Sequence, residues 1–370
     1  WYPYDYRFSA KDLISNHLTF QIFHHVAIFP KQLLPKGMVV FGMGLLNGAK
    51  MSSSKGNVFL LEDAVNEFGA DTVRMFLVGS AEPWQDFDWR NELVISTRKQ
   101  IERFYNIVED SADISEPGDS IDRWLISRLQ HHIEKATEAL LRFQTRQALQ
   151  EAFNGVEADL KWYRRRLPEG SEGHAPLRDL CSAWVRLMAP MIPHTAERLW
   201  TDLGGKGLVS YAEWPVPDGS LIDAGLELAE ELLSRTVEDV ESIMKLIQIT
   251  PASLTICVAP SWKREVFLKV ARSEDKNQVM KEVMKDEAMR GRGKEATDAA
   301  KQCTTLIHRL PPQIVEGLLS QSLDELKIFE EAREFLSKEF GMNVRVVPAD
   351  PAVHAKAALA LPFKPAIIIE

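Results

Sequence analysis

The sequence predicts a multidomain chain built from three consecutive architectures: an α/β unit, an all-α helical bundle and a small α+β domain. Three observations lead there. Residues 1–100 mix short β-like runs with helical stretches, the apolar spacing turns helical from Asp122 and stays so, and β-branched runs return beyond residue 250. At about 100 to 200 residues per domain, a chain of 370 residues carries two or three such units. A hydrophobic content of 45% is ample for their cores and excludes a disordered or collagen-like chain.

In the first unit, Gly37-Met38-Val39-Val40-Phe41-Gly42-Met43 reads as a strand bounded by glycines, followed by a turn at Asn47-Gly48 and a Ser-rich loop. From Glu62 to Leu77 the apolar residues Ala64, Val65, Phe68, Val73, Phe76 and Leu77 form one helical stripe. In the second, Trp124, Leu125, Leu129, Ile133, Ala136 and Leu140 keep helical spacing, as do Leu149, Phe153, Val156, Leu160 and Tyr163. Pro168 to Gly173 reads as a loop, and Pro176 is placed to open a helix through Leu180, Trp184, Leu187 and Met188. A helix over about 226–247 follows the turn-rich Trp214 to Gly219. Ser253 to Ala259, Asn343 to Val347 and Ala366 to Ile369 then read as strands, with helices at Lys263 to Val270 and Lys276 to Lys285.

The formal net charge of −9 argues against a wholly basic nucleic-acid coat protein. Its distribution matters more. Residues 121–200 hold twelve basic and ten acidic side chains, whereas 201–250 hold three and ten, so a phosphate backbone is better accommodated along the former and parts of 251–370. Cys181, Cys257 and Cys303 are far apart and show no paired spacing for zinc or redox work, which points to buried thiols in a reducing, cytoplasmic compartment. No apolar stretch approaches the roughly 20 residues of a membrane span. A start at Trp1, without an initiator Met or signal segment, is expected of a chain that begins mid-protein or is processed.

The most specific chemistry lies in Lys50-Met51-Ser52-Ser53-Ser54-Lys55-Gly56-Asn57, between a strand and a helix. Two ammonium groups, three hydroxyls and a glycine on one loop suit a polyanion: Lys donates as a point charge, Ser adds hydrogen bonds, and Gly lets backbone N–H groups approach. The bland alternative is a solvated Ser-rich turn.

This loop resembles the KMSKS signature of class I aminoacyl-tRNA synthetases. Asp63-Ala64, Gly69-Ala70-Asp71-Thr72-Val73-Arg74 and Asp86-Phe87-Asp88-Trp89 are similar to the segments that follow it there, and Met188 to Trp200 resembles the helical tRNA-binding domain of the Leu, Ile, Val and Met subgroup. Ser9-Ala10-Lys11-Asp12-Leu13-Ile14 and Asn16-His17-Leu18-Thr19-Phe20 resemble the leucine branch of archaeal and eukaryotic cytosolic type. The resemblance covers essentially the whole chain.

It implies that 1–100 is the C-terminal part of a Rossmann-like catalytic domain, 101–250 the tRNA-binding (anticodon-binding-type) bundle and 251–370 a C-terminal tRNA-interacting domain. The implied reaction joins leucine to its tRNA through an adenylate made from ATP, with Mg2+ as counter-ion of the nucleotide and no protein-bound metal. Lys50 and Lys55 would grip the departing pyrophosphate, Met51, Ser52, Ser53 and Ser54 would complete the nucleotide-binding loop, Asp12 would accept from the ATP ribose, and His17 would border the leucine pocket. Lys161, Arg164, Arg165 and Arg166 combine a basic cluster with Trp162 and Tyr163 and would meet tRNA, the alternative being a helix end whose arginines satisfy the dipole and lie in water with Trp162 in the core; Arg290, Arg292 and Lys294 form a second, flexible cationic site for tRNA. The pattern departs from the family at Ser53, where a second Lys is usual and Lys55 stands two places later, and at Ala10, usually Gly.

No HIGH-type His-x-Gly-His run occurs, and the editing insertion is absent. The expectation is a chain inactive alone, completed by an N-terminal half or subunit carrying the HIGH motif and editing domain, with no membrane partner. The alternatives are a non-catalytic tRNA-binding module, or another class I synthetase of the Ile/Val/Met subgroup.

Overall fold

A computed structural model of the chain describes residues 2–51, 56–110, 120–167, 176–246, 251–273, 279–352 and 354–370. It divides into two compact units, Trp1–Ile222 and Asp223–Glu370.

The first unit opens with strand β1 (Tyr6–Ala10), helix α1 (Thr19–Ile28) and strand β2 (Gly37–Phe41). This βαβ crossover pairs β1 and β2 in parallel, Tyr6 opposite Gly37 and Ala10 opposite Phe41. Parallel sheets normally lie covered on both faces. Here Tyr6 and Phe8 turn one side of β1 edge-on to Phe143, yet α1 buries none of its residues. Phe20, Ile22, Phe23 and Ile28 remain 62%, 49%, 67% and 67% exposed.

A second small sheet follows. Strand β3 (Gly44–Leu46) pairs antiparallel with β4 (Ala49–Lys50) and parallel with β5 (Phe87–Trp89). Gly42 joins β2 to β3 where the chain passes so close that an added Cβ would sit 2.0 Å from the Gln85 carbonyl oxygen. The single helical stripe over 62–77 is two helices, α2 (Leu61–Phe68) and α3 (Ala70–Ser80). Gly69 breaks them with φ of +86°, a left-handed conformation that side-chain periodicity does not report. The stripe faces one core except at Val65, which is exposed: Ala64, Phe68, Val73, Phe76, Trp89 and Val94 pack together, with Leu46, Met51, Phe59 and Leu77 at its margin.

The bundle comprises α4 (Asn91–Glu109), α5 (Ser120–Leu141), α6 (Thr145–Leu149), α7 (Val156–Arg166), α8 (Pro176–Met188) and α9 (Pro193–Asp202). Its expected apolar stripes are buried except at the half-buried Leu140, with Trp184 between Phe104 and Phe153 and its indole N–H donating to the Ala152 carbonyl at 2.6 Å. A π-helical turn over Gln150–Gly155 precedes α7 and sets His132 between Asp159 (2.9 Å) and Glu151 (3.3 Å). Burial pulls the His132 imidazole down, but hydrogen bonds to Asp159 and Glu151 outweigh it and leave the group above its ordinary value.

In the second unit, α10 (Ala224–Leu246) packs on later helices of the same unit. Strand β6 (Ser253–Val258) is followed by α11 (Ser261–Arg272), α12 (Val279–Met284), α13 (Glu287–Arg292), α14 (Lys294–Ile307), α15 (Pro312–Ser320), α16 (Glu325–Glu331) and α17 (Arg333–Phe340). Strands β7 (Asn343–Pro348) and β8 (Ala366–Ile369) flank β6, parallel and antiparallel respectively. The architecture is therefore an α/β segment, a helical bundle and a small α+β unit in that order. Cys181, Cys257 and Cys303 are all buried.

Candidate active site

The cationic loop grows from the β3–β4 hairpin. Asn47 and Gly48 both take left-handed φ, +52° and +78°, the geometry that closes a two-residue hairpin with the twist of its strands. β5 holds that turn. The Asp88 carboxylate accepts the Gly48 N–H at 2.7 Å and the Arg90 Nε–H at 2.7 Å, while the Trp89 carbonyl accepts the Asn47 N–H at 3.1 Å. The Gly48 hydrogen bond, then Arg90, draws the Asp88 carboxyl below its ordinary range, so it stays ionised.

Lys50 ends β4 opposite Leu45, with an exposed side chain and no ion pair among the described residues. Its carbonyl accepts from Asn57 Nδ2 at 3.3 Å, across the loop. Met51 on one side and Phe59 on the other pack against the core around Trp89. Both ends of the loop thus share one foundation. Ser52, Ser53, Ser54 and Lys55 lie outside the described residues.

Asp12 sits in a short 3-10 turn, Lys11–Leu13, at the carboxyl end of β1, the end at which open α/β sheets receive ligands. It is exposed. Its neighbour Lys11 donates to Asp86 at 2.6 Å, and Asp86 also accepts the Met43 N–H at 2.7 Å. The Lys11 bond, then the Met43 bond, lowers the Asp86 carboxyl. The sequence alone gives Asp86 and Asp88 no role. Asp86 just ahead of β5 and Asp88 within it tie the end of β1 and the hairpin turn to one segment, a link between positions 40 to 75 apart that local pattern does not reveal.

His17 lies in a π-helical turn, Ile14–Leu18, a distortion common at functional positions. Its Nε2 accepts from Arg7 Nη2 at 3.2 Å, with Arg7 on β1. Lys50 lies in the second sheet and the Asp12–His17 segment follows a strand of the first; Asp86 links the two sheets through Lys11 and the Met43 N–H. No group of three His, Cys, Asp or Glu side chains that could hold a metal occurs among the described residues.

On α7, Lys161 and Arg164 are exposed one turn apart, whereas Tyr163 is buried and donates to Asp122 at 2.7 Å. Arg165 lies 5.9 Å from the ring centre of the half-buried Trp162, and Arg166 is half-buried. The tyrosine therefore belongs to the core. In the second unit, Arg290 and Arg292 stand on α13, a helix rather than the flexible segment expected from the two glycines. Arg290 donates to the Lys285 carbonyl at 3.0 Å, and Arg292 stacks 4.7 Å over Trp262, within 3.8 Å of Glu295. Lys294 opens α14 after Gly293, whose φ is +49°.

Residues 4–109 match the family described as tRNA synthetases class I (M), and residues 122–257 match the anticodon-binding domain of tRNA ligase. The whole chain is 42% identical to 38% of the leucine–tRNA ligase of Pyrococcus abyssi, and 43% identical to 38% of that of Pyrococcus furiosus. With the Methanothermobacter thermautotrophicus ligase, identity is 42% over the whole chain and 40% of the relative. The chain thus spans about two fifths of the curated relatives it matches. A solved LeuRS of Agrobacterium radiobacter K84, in ternary complex with tRNA and LeuAMS, shares the fold over 78% of this chain and 34% of its own, with a TM-score of 0.51 and 20% identity.

Proposed function

We propose, for a chain homologous over its whole length to archaeal leucine–tRNA ligases, that it supplies the KMSKS-bearing and tRNA-binding part of such an enzyme, which joins leucine to its tRNA through an adenylate. The observation that carries this reading is the match of every segment of the chain to those relatives, with Lys50 presented on a hairpin braced from β5.

The chemistry is mostly electrostatic. The leucine carboxylate attacks the α-phosphate of ATP, whose phosphates bring Mg2+ as counter-ion, and pyrophosphate departs. Charge accumulates on the leaving group as the bond breaks, so an ammonium that meets it more closely then than before lowers the barrier. Lys50 and Lys55 take that role, with Met51 and Ser52 to Ser54 shaping the loop. Asp12 receives the ribose hydroxyls, and His17, oriented by Arg7, borders the leucine. Arg165 and Arg166 join Lys161 and Arg164 on the tRNA-facing side of the bundle, with Arg290, Arg292 and Lys294 on the second unit.

The partner of α1 is the remainder of the enzyme, which carries the HIGH half of the nucleotide site and the editing domain. A two-stranded parallel sheet is seldom stable with open faces. The relatives extend well beyond the matched two fifths, and their remainder is the partner proposed to cover Phe20, Ile22, Phe23 and Ile28. The setting is cytoplasmic.

The test mixes this chain with the N-terminal portion of the same enzyme and follows leucine-dependent ATP/pyrophosphate exchange. Exchange that requires both pieces and is abolished by Lys55→Ala supports the reading. Retention of tRNA without exchange indicates a tRNA-binding module instead, and exchange driven by isoleucine, valine or methionine reassigns the amino acid.

A further inference from the structure

Two segments 116 to 124 positions apart meet at the first turn of α3. Asp71, 8% exposed, accepts the Thr195 N–H at 2.6 Å, the Thr195 hydroxyl at 2.7 Å and the His194 N–H at 3.3 Å. Those N–H groups open α9 and have no partner within their own helix. One turn later Arg74 donates to the carbonyls of Pro190 at 2.7 Å and Met191 at 3.3 Å, just past the end of α8. An acid meets a helix beginning and a base meets a helix end, each complementary to the local dipole. Beyond the other end of α3, Glu82 accepts the Gln147 N–H at 3.0 Å and the Arg146 N–H at 3.3 Å at the start of α6.

The same helix turns Val73 and Phe76 into the core that receives Met51 and Phe59, the flanks of the cationic loop. One rigid element therefore has the loop foundation on its apolar side and the bundle on its polar ends. An apolar contact alone would hold the bundle but leave its angle soft. Carboxylate and guanidinium bonds to particular N–H and C=O groups are directional, and they fix that angle. At Gly79 the fit to α6 is close as well, since an added Cβ would lie 2.8 Å from Leu149 Cδ2.

We propose that Asp71 and Arg74 are positioning residues that set the tRNA-binding bundle in register with the adenylate-forming segment, so that they serve transfer to tRNA and not adenylate formation. This rests on the functional reading above. Adenylate formation needs the nucleotide and leucine sites but no tRNA; transfer also needs the tRNA end placed to within about 1 Å, where misplacement costs about a hundredfold.

The test uses the enzyme completed by its N-terminal portion and compares Asp71→Asn and Arg74→Lys with the parent. The expected result is pyrophosphate exchange within about twofold, tRNA charging with kcat reduced about tenfold or more, and little change in KM for tRNA. A stepped loss, milder in Thr195→Val, which removes only the hydroxyl, supports the joint. Equal loss in both assays, or charging retained within about twofold, overturns it. Thermal melting of each variant confirms that it is folded, and Thr195→Val serves if the others are not. A parent mixture that never exchanges pyrophosphate fails the functional reading itself, a different outcome from a parent that exchanges and variants that lose both activities.

Discussion

Asp88 reaches back forty positions to hold the N–H of Gly48 at 2.7 Å, so one carboxylate on β5 sets the turn from which the cationic loop departs. Replacing Asp88 with Ala leaves that N–H and the Arg90 guanidinium without their acceptor and loosens the hairpin around Lys50. The expected outcome is a fall of about tenfold in the rate of pyrophosphate exchange by the completed enzyme, with tRNA retention unchanged. Filter-binding and exchange assays on the same preparation separate the two. Because the folded-state pKa of Asp88 is lowered, its contribution is present above the unfolded carboxylate value and is lost as pH falls through the folded one.

The exposed face of α1 makes a second prediction. Phe23 is 67% exposed, and burying such a ring against a partner is worth about 1.5–3 kcal/mol. Phe23→Ser should weaken association with the N-terminal portion by roughly ten- to a hundredfold while leaving the melting of this chain nearly unchanged. Sedimentation or titration calorimetry measures the first and circular dichroism the second. A destabilised chain with unaltered association would show that Phe23 packs internally.

Glu325 makes a third, in the second unit. Its side chain is buried, one oxygen accepts the Phe363 N–H at 2.8 Å, and the other has no hydrogen-bond partner among the described residues. Burial drives the carboxyl up to about 7, against smaller opposing effects from the Phe363 bond and Arg264. A carboxyl raised in the folded state contributes stability below its unfolded value, near 4.5, and that contribution is lost as pH rises through about 7. Glu325→Gln keeps the acceptor and removes the buried charge. The variant should melt higher than the parent at about pH 8 and no higher at about pH 5, whereas a pH-independent difference would contradict this account.

Much of this architecture is legible in the sequence, for physical reasons that also mark where legibility ends. Apolar spacing finds Leu160, Tyr163 and Trp184 in the bundle core because burial on one helix face is a local, periodic constraint. The Asn47-Gly48 turn is legible because few residues accept left-handed φ at two successive positions. The break at Gly69 is hidden, since the stripe from Ala64 to Phe76 keeps its helical phase through it. Arg290 and Arg292 look flexible beside glycines, yet packing of α13 on its neighbours in the second unit makes them helical. Asp71 stands in the sequence only as one residue of the Gly69 to Arg74 run, while its partners at 194 and 195 belong to another segment. Lys50 and Asp12 were visible as chemistry; that Asp86 links their sheets needed the fold.

The account depends on ammonium groups at Lys50 and Lys55 that stabilise the departing pyrophosphate more than bound ATP. Steady-state pyrophosphate exchange by the completed enzyme, with ATP varied, measures this directly for Lys50→Ala and Lys55→Ala. The account predicts kcat lower by about a hundredfold with KM for ATP changed only a few-fold, the signature of an interaction made in the transition state. A raised KM with kcat intact, or parent-like kinetics in both variants, would contradict it.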